Sequence, residues 1–387
     1  MGLGWRWLRY VFPLVLVSAA LAAGGITAGA AGPRIGSTKG LSSALTKLVD
    51  LPGGPPGAVA VVQVGGATKV IAIGVGNLTT KSAPGVDEVA RIASVSKAYS
   101  GAIALALVSK GRLSLTSTVG KILPMLPSAW AKVTLAQLLQ HTSGVPDYIK
   151  APAFLKELQT DPHAILTPNQ LLDFVAAQPL LFKPGSKYAY SDSDNIIIGL
   201  MVEAATGASY DTELAKIVTM PLSLSQTTLP ASATIAEPYI HGYDTTEKPA
   251  EDVTGILNPG LAWASGGMLS TPGELNTFMR AYVRGKFVSP SVRKSQMKFV
   301  PGGSGPPGPG TNSAGLGIYR YATSCGTVYG HTGNYPGYTI FAAASANGSR
   351  SVDVIVNTQL NDRPPVSKSY TALRSAELAG VCVALHS

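Results

Sequence analysis

Residues 93–97 read Ala93-Ser94-Val95-Ser96-Lys97, and Ala98 to Lys110 follow. The second part predicts a helix: Ala98, Ile103, Ala104, Leu105, Leu107 and Val108 are apolar, and Lys110-Gly111 is a stop signal. Ser94 falls at or just before the first turn, with Lys97 three residues on along the same face. A serine hydroxyl is a weak nucleophile at neutral pH and needs a base beside it and donors for the oxyanion it creates. A helix start offers unpaired backbone N–H groups, and the i, i+3 spacing brings an amine to the hydroxyl. The plainer role of Ser94 is a helix N-cap. Spacing alone does not decide between them, because Ser291/Lys294 and Ser295/Lys298 repeat it in a polar, basic stretch without support.

Outward from this stretch, the chain changes texture twice. Ser42 to Val49 predicts a short amphipathic helix, and Pro52 to Gly57 is a breaker. Ala58–Val64 and Thr68–Val75 are β-rich runs joined by Gly65-Gly66, a hairpin signal. From Leu113 the pattern is helix and loop. Helices are predicted from Thr134 to Gln140, Thr167-Pro168 to Ala177, Asp194 to Ala205 and Tyr210 to Val218. Thr271-Pro272-Gly273-Glu274 is a helix start with a capping pattern. Pro301 to Gly310 reads as a mobile surface loop. Strand-like runs then follow at Gly315–Tyr321, Gly326–Tyr329, Tyr338–Ala344 and Ser351–Val356, the last two around an Asn347-Gly348 turn. Ser367 to Leu385 reads as a closing helix. The expected class is α+β, with one antiparallel sheet drawn from both ends of the chain and flanked by helices. Residues 35–111 and 256–387 would form the sheet domain, with 112–255 a mostly helical insertion.

The chain has 387 residues, 45% of them hydrophobic, enough for a large core, and its 13% of charged residues excludes a disordered chain. Its net charge of +9 is scattered singly, without basic runs or interleaved aromatics, which argues against a nucleic-acid partner. Residues 1–30 read as a signal peptide: Arg6 and Arg9, an apolar run from Val11 to Ala23, and a small-residue cleavage site at Ala28-Gly29-Ala30. The run is short for a membrane span, so the expected product is secreted or in the cell envelope, with no stable span after cleavage. Export makes a Cys325–Cys382 disulfide the expectation over two separate thiols. Neither cysteine has a second ligand at metal spacing, and no metal or cofactor is expected.

If Ser94 and Lys97 are catalytic, distant polar groups must reach them. Tyr188-Ala189-Tyr190-Ser191-Asp192 precedes the Asp194 helix, and a tyrosine hydroxyl near an ammonium can serve as a base. Gly330-His331-Thr332-Gly333-Asn334 ends a strand. It offers a cation or imidazole, a hydroxyl, and a glycine without a side chain, so that a substrate backbone can lie along the edge. Taken alone, Tyr190 reads as packing, Asp192 as a cap and His331 as a solvated strand end. Together and in this order they match S-x-x-K, Y-x-N and K/H-T-G. With these motifs the chain resembles the serine β-lactamase and penicillin-binding protein superfamily, in its class C branch. It is most similar there to secreted D-alanyl-D-alanine carboxypeptidases, with Gln137 to Gly144 a further, structural segment of the branch.

The resemblance implies a β-lactamase/transpeptidase-like fold and an exported serine hydrolase of cell-wall peptide metabolism. Ser94 would be acylated, Lys97 would be its base or base partner, and Tyr190 would relay protons to the leaving group. The backbone N–H groups of Ser94 and Asn334 would form the oxyanion hole. His331 and Thr332 would hold the carboxylate end of the substrate, Gly333 would let its backbone lie along the strand, and Trp263 would be an aromatic wall. The implied substrates are small peptides, β-lactams or esters, with peptidoglycan an implied partner. Two departures are visible. Asp192 replaces an asparagine, and would bind substrate, pair with Lys97 or hold a substrate amine. Tyr319 takes the place of a carboxylate-binding arginine, with Arg320 adjacent; a one-residue shift on a strand flips the face. A class C-like β-lactamase or an esterase is the alternative within the fold, and a non-catalytic binding module is the alternative outside it.

Overall fold

The computed structural model describes residues 35–246, 248–362 and 366–387; the signal peptide read in residues 1–30 lies outside the described residues. The chain opens with α1 (Lys39–Val49), then β1 (Gly57–Val64) and β2 (Ala67–Gly74). The Gly65-Gly66 turn pairs Val64 with Ala67, and Gly65 has φ 58°, a backbone state that glycine adopts without steric cost. β1 is apolar almost throughout because both of its edges and both of its faces are covered.

A short 3₁₀ turn, Ala93–Val95, leads into α2 (Ser96–Ser109). Between residues 112 and 255 lie α3 (Leu135–Leu139), α4 (Asp192–Thr206) and α5 (Tyr210–Leu214), with other short helices and a two-stranded pair at Tyr243–Asp244 and Glu251–Asp252. α3 starts at the predicted Thr134, whose side chain and that of Gln137 close a reciprocal capping box. α4 begins two residues before the predicted Asp194, which puts Asp192 in its first turn.

The return to the sheet passes through α6 (Trp263–Gly266) and α7 (Pro272–Val283). Thr271 caps α7 as predicted, but the Glu274 carboxylate turns away to accept from Thr227 Oγ1 at 2.6 Å. The strands β3 (Val300–Pro301), β4 (Thr311–Ala314), β5 (Tyr319–Thr323), β6 (Gly326–Tyr335), β7 (Tyr338–Ala344) and β8 (Arg350–Val356) precede α8 (Lys368–His386). The eight-stranded antiparallel sheet has the order β2-β1-β8-β7-β6-β5-β4-β3, so both ends of the chain supply it. One face packs on α2 and α7, and the other on α1 and α8. The Cys325–Cys382 disulfide ties the β5–β6 turn to α8. Among the described residues no helix is long and apolar enough to cross a membrane.

β6 is longer than its predicted run. It continues through the Gly330 to Asn334 motif to Tyr335, because Gly333 pairs with Ile340 and Asn334 with Thr339 on β7. On the other side β5 pairs only as far as Gly330, so residues 331–335 pass beyond its end. This projecting part of β6 lies against the Ala93–Val95 turn.

Candidate active site

Ser94 sits in the 3₁₀ turn, partly exposed, directly after Ala93, which is held at φ 50°. A non-glycine residue in this region stores strain that the surroundings must hold. Those surroundings include β6: a Cβ placed on Gly333 would stand 2.6 Å from the Ile92 carbonyl oxygen and 3.2 Å from the Ser94 nitrogen. The missing side chain thus admits the turn that carries Ser94.

Lys97 is buried in the first turn of α2. Its Nζ donates to Ser94 Oγ at 3.1 Å, to Asp192 Oδ1 at 2.6 Å and to the Ser265 carbonyl at 2.7 Å. An ammonium has three N–H donors, and each has an acceptor here. α4 supplies Asp192 and α6 supplies Ser265, so three elements converge on one nitrogen. Asp192 is itself held by its backbone N–H, which donates to Asp147 Oδ1 at 3.0 Å.

Tyr190 presents its ring to Lys97, whose Nζ is 4.9 Å from the ring centroid. The Tyr190 hydroxyl is buried and makes no hydrogen bond of good geometry among the described residues. Burial, and then the Asp192 charge, raise its pKa well above the ordinary tyrosine range, although the nearby Ser94 hydroxyl opposes this. Tyr190 is therefore a neutral phenol. Its other side rests on His141, with ring centroids 4.6 Å apart. His141 has φ 54° and packs in the core, where burial and then Lys97 lower its pKa to about 3. His141 Nδ1 is 2.9 Å from Asp194 Oδ2, and Ser143 Oγ donates to Asp194 Oδ1 at 2.5 Å. Burial raises the Asp194 carboxyl well above the carboxylate range.

His331 is an imidazole and not a cation. Burial, and then Lys97, lower its pKa to about 3, and its Nδ1–H donates to the Thr332 carbonyl at 2.5 Å. Thr332 Oγ1 donates to the Pro306 carbonyl at 2.5 Å and lies 2.5 Å from Ser304 Oγ. Its partners belong to the Pro301 to Gly310 stretch, where the expected mobile surface loop is instead packed down, with Ser304, Pro306, Gly308 and Pro309 buried. Tyr188 pins the stretch by donating to the Gly303 carbonyl at 2.5 Å. Tyr370 donates to the Pro307 carbonyl at 3.3 Å, and Arg374 donates to the same oxygen.

The fold thus gathers Ser94, Lys97, Tyr190, Asp192, His331 and Gly333, with Asn334 next in the strand. Three other sequence candidates have their contacts elsewhere. The Trp263 ring packs over Gly199 of α4 and against Tyr210, 5.3 Å between centroids. The Arg320 guanidinium stacks over Phe299 and donates to Ser313 Oγ at 3.1 Å. Thr332 is engaged by the 301–310 stretch. Tyr319 reaches the cluster instead: its hydroxyl is 2.9 Å from that of Tyr188, and its ring meets His331 edge-on at 4.9 Å. Sequence reasoning missed Asp147, Asp194 and the Ser265 carbonyl. Asp194 stood in the sequence as a helix start, and a backbone carbonyl leaves no sequence signal.

Comparisons with known proteins follow the same lines. A family profile described as Beta-lactamase matches residues 45–377. Penicillin-binding protein 4* of Bacillus subtilis is 25% identical over 69% of this chain and 60% of its own length. The D-alanyl-D-alanine-carboxypeptidase/endopeptidase AmpH of Escherichia coli is 27% identical over 56% of this chain and 54% of its own length. The chain therefore spans little more than half the length of these curated relatives. Among solved structures, a D-stereospecific amidohydrolase from Streptomyces sp. superposes with a TM-score of 0.74 at 29% identity, covering 84% of this chain and 95% of that one. The D-amino acid amidase of Ochrobactrum anthropi SV3 gives 0.75 at 21% identity, covering 88% and 98%, a likeness of fold. With the profile running over most of the chain, this protein belongs to the Beta-lactamase family.

Proposed function

We propose that the protein is a serine hydrolase that acts through an acyl-enzyme on Ser94 and cleaves small D-aminoacyl amides and peptides. The observation that carries this reading is the triple engagement of Lys97 with Ser94, Asp192 and Ser265. The resting ammonium has no lone pair with which to take the Ser94 proton. Asp192 is the acceptor in contact with it, so transfer of one proton from Nζ to Oδ1 frees the amine. Lys97 then takes the Oγ proton as Ser94 attacks the carbonyl carbon. The oxyanion forms against the backbone N–H groups of Ser94 and Asn334. When the C–N bond breaks, the neutral Tyr190 gives its proton to the leaving nitrogen and recovers one from Lys97. Water then cleaves the ester, releasing the acid and restoring Ser94.

The amide reading has support from the named amidohydrolase relative and from the charge of the site. The Lys97 ammonium is committed to Asp192, His331 is neutral, and Tyr319 offers a hydroxyl toward this part of the site. A second reading, the D-alanyl-D-alanine carboxypeptidase, draws on the name of the Escherichia coli relative and requires a group that holds a terminal carboxylate. It would act on peptidoglycan peptides outside the cytoplasm, and β-lactams and esters would acylate the same serine.

Intact-mass spectrometry after incubation with a fluorophosphonate or penicillin tests the nucleophile. One adduct on Ser94 is expected, absent in Ser94→Ala, with turnover down by at least about 10³-fold. An adduct that survives in Ser94→Ala would sink the reading. A peptide ending in D-Ala-D-Ala, compared with its C-terminal amide, separates the two substrate classes. The amide is expected to react at least as well, and strong preference for the free acid would favour the carboxypeptidase.

A further inference from the structure

Beside Tyr190, on the helical side of the cluster, is a cavity of about 200 Å³, with Val145, Pro146, Asp147, Lys150, Leu181 and Tyr190 among its lining residues. Its wall is largely apolar, and its polar lining comes from Asp147, Lys150 and Gln178. The Asp147 side chain is only 4% exposed. Oδ1 is used by the Asp192 N–H, whereas the buried Oδ2 accepts no hydrogen bond of good geometry among the described residues. The Lys150 ammonium stands 3.1 Å from Oδ2, but the Lys150 side chain is 69% exposed. The exposed Lys150 itself loses little on swinging into water, but its departure strands the buried Asp147 carboxylate, so the exchange is favourable only when another cation takes its place. The other nearby carboxylate, Asp192, already has Lys97 as its counterion. With Lys150 turned out, a buried carboxylate that lines a largely apolar cavity is left without a counter-charge. That arrangement takes a cation with a compact apolar body.

We propose that this cavity is a substrate subsite for an acyl group that carries a free amine, with the substrate ammonium replacing Lys150 on Asp147. The inference rests on the acyl-enzyme reading, because Tyr190 is shared by the cavity and the reacting cluster. It makes the enzyme selective for unblocked aminoacyl substrates over N-acylated ones.

The test uses two pairs of p-nitroanilides: D-alanyl against N-acetyl-D-alanyl, and 5-aminopentanoyl against hexanoyl, so that the amine falls at two depths. In at least one pair, kcat/KM is expected to favour the amine at least about tenfold, and Asp147→Asn should bring that ratio near one. Lys150→Met, at an exposed position, should raise the ratio through a lower KM for the amine. Equal or better turnover of the neutral partner in both pairs would overturn the proposal, as would an unchanged ratio in Asp147→Asn. If Asp147→Asn does not fold, Lys150→Met decides, and no rise in the ratio counts against the subsite. Turnover of 4-nitrophenyl acetate in wild type and Ser94→Ala checks the underlying reading separately. Equal rates there would remove the acyl-enzyme, and the subsite with it, whereas a Ser94-dependent rate without amine preference removes the subsite alone.

Discussion

At the residue scale, the central quantity is where protons rest around Lys97. Tyr190 is held neutral by burial, and His331 and His141 are held neutral by burial with Lys97 beside them. The carboxylate of Asp192, 2.6 Å from Nζ, is the acceptor that the proposed mechanism uses. Asp192→Asn keeps the shape and removes that acceptor. The expected result is a fall in kcat of about 10²-fold with KM nearly unchanged, read in single-turnover acylation. The histidines give a complementary expectation. Their folded pKa lies at about 3, below the unfolded value, so both are neutral above about pH 4 and neither titrates between pH 5 and 8. A limb of the kcat/KM profile in that window should keep its midpoint in His331→Asn, and a displaced midpoint would assign the limb to His331.

At the element scale, the site depends on a 3₁₀ turn pressed onto a strand. Ala93 is strained at φ 50°, and Gly333 leaves the space that the turn occupies. In Gly333→Ala the new Cβ would meet the Ile92 carbonyl, the Ala93 Cβ and the Ser94 nitrogen at 2.6, 3.0 and 3.2 Å. Backbone must move, because no flexible side-chain end is there to give way. Displacing the nucleophile by a fraction of an ångström to 1 Å is expected to cost about 10²-fold in acylation rate. The accompanying loss of stability should be about 1–3 kcal/mol, measured by urea denaturation. The sequence reading placed this glycine correctly in the strand motif, yet assigned its open side to substrate. The structure fills that side with the protein's own backbone.

At the scale of the whole molecule, the sheet holds a buried acid remote in sequence from Ser94. Asp353 on β8 is 1% exposed, beside Asn276 of α7, and burial raises its carboxyl well above the carboxylate range. The folded chain keeps a proton that the unfolded chain releases above about pH 4. Stability from this group is complete below that pH and is lost as pH rises toward the folded pKa. Asp353→Asn should therefore gain over wild type as pH is raised from 5 to 8, reaching about 1–3 kcal/mol, followed by thermal melts across that range. An advantage that does not grow with pH would mean that the carboxyl is already ionised. The disulfide acts at the same scale, linking residues 57 apart and limiting the unfolded chain by about 4 kcal/mol in the chain-entropy account.

What the sequence by itself determined was local. The glycine turn, the Thr134 and Thr271 caps, the strand runs and the one-turn spacing of Ser94 and Lys97 follow from short-range sterics and backbone hydrogen bonding, which a few neighbouring residues encode. The order of motifs also carried the family. Only the tertiary structure decided what surrounds the lysine. Asp192 and the Ser265 carbonyl come from 95 and 168 residues away, and they meet Nζ because α4 and α6 pack on α2. Charge was decided there as well, since the same histidine is a cation in acidic water and a neutral imidazole when β5, β6 and Lys97 enclose it. So was side-chain direction: Trp263 and Arg320 stand near the right places in the chain, but they turn to Tyr210 and Phe299, where packing offers them more contact.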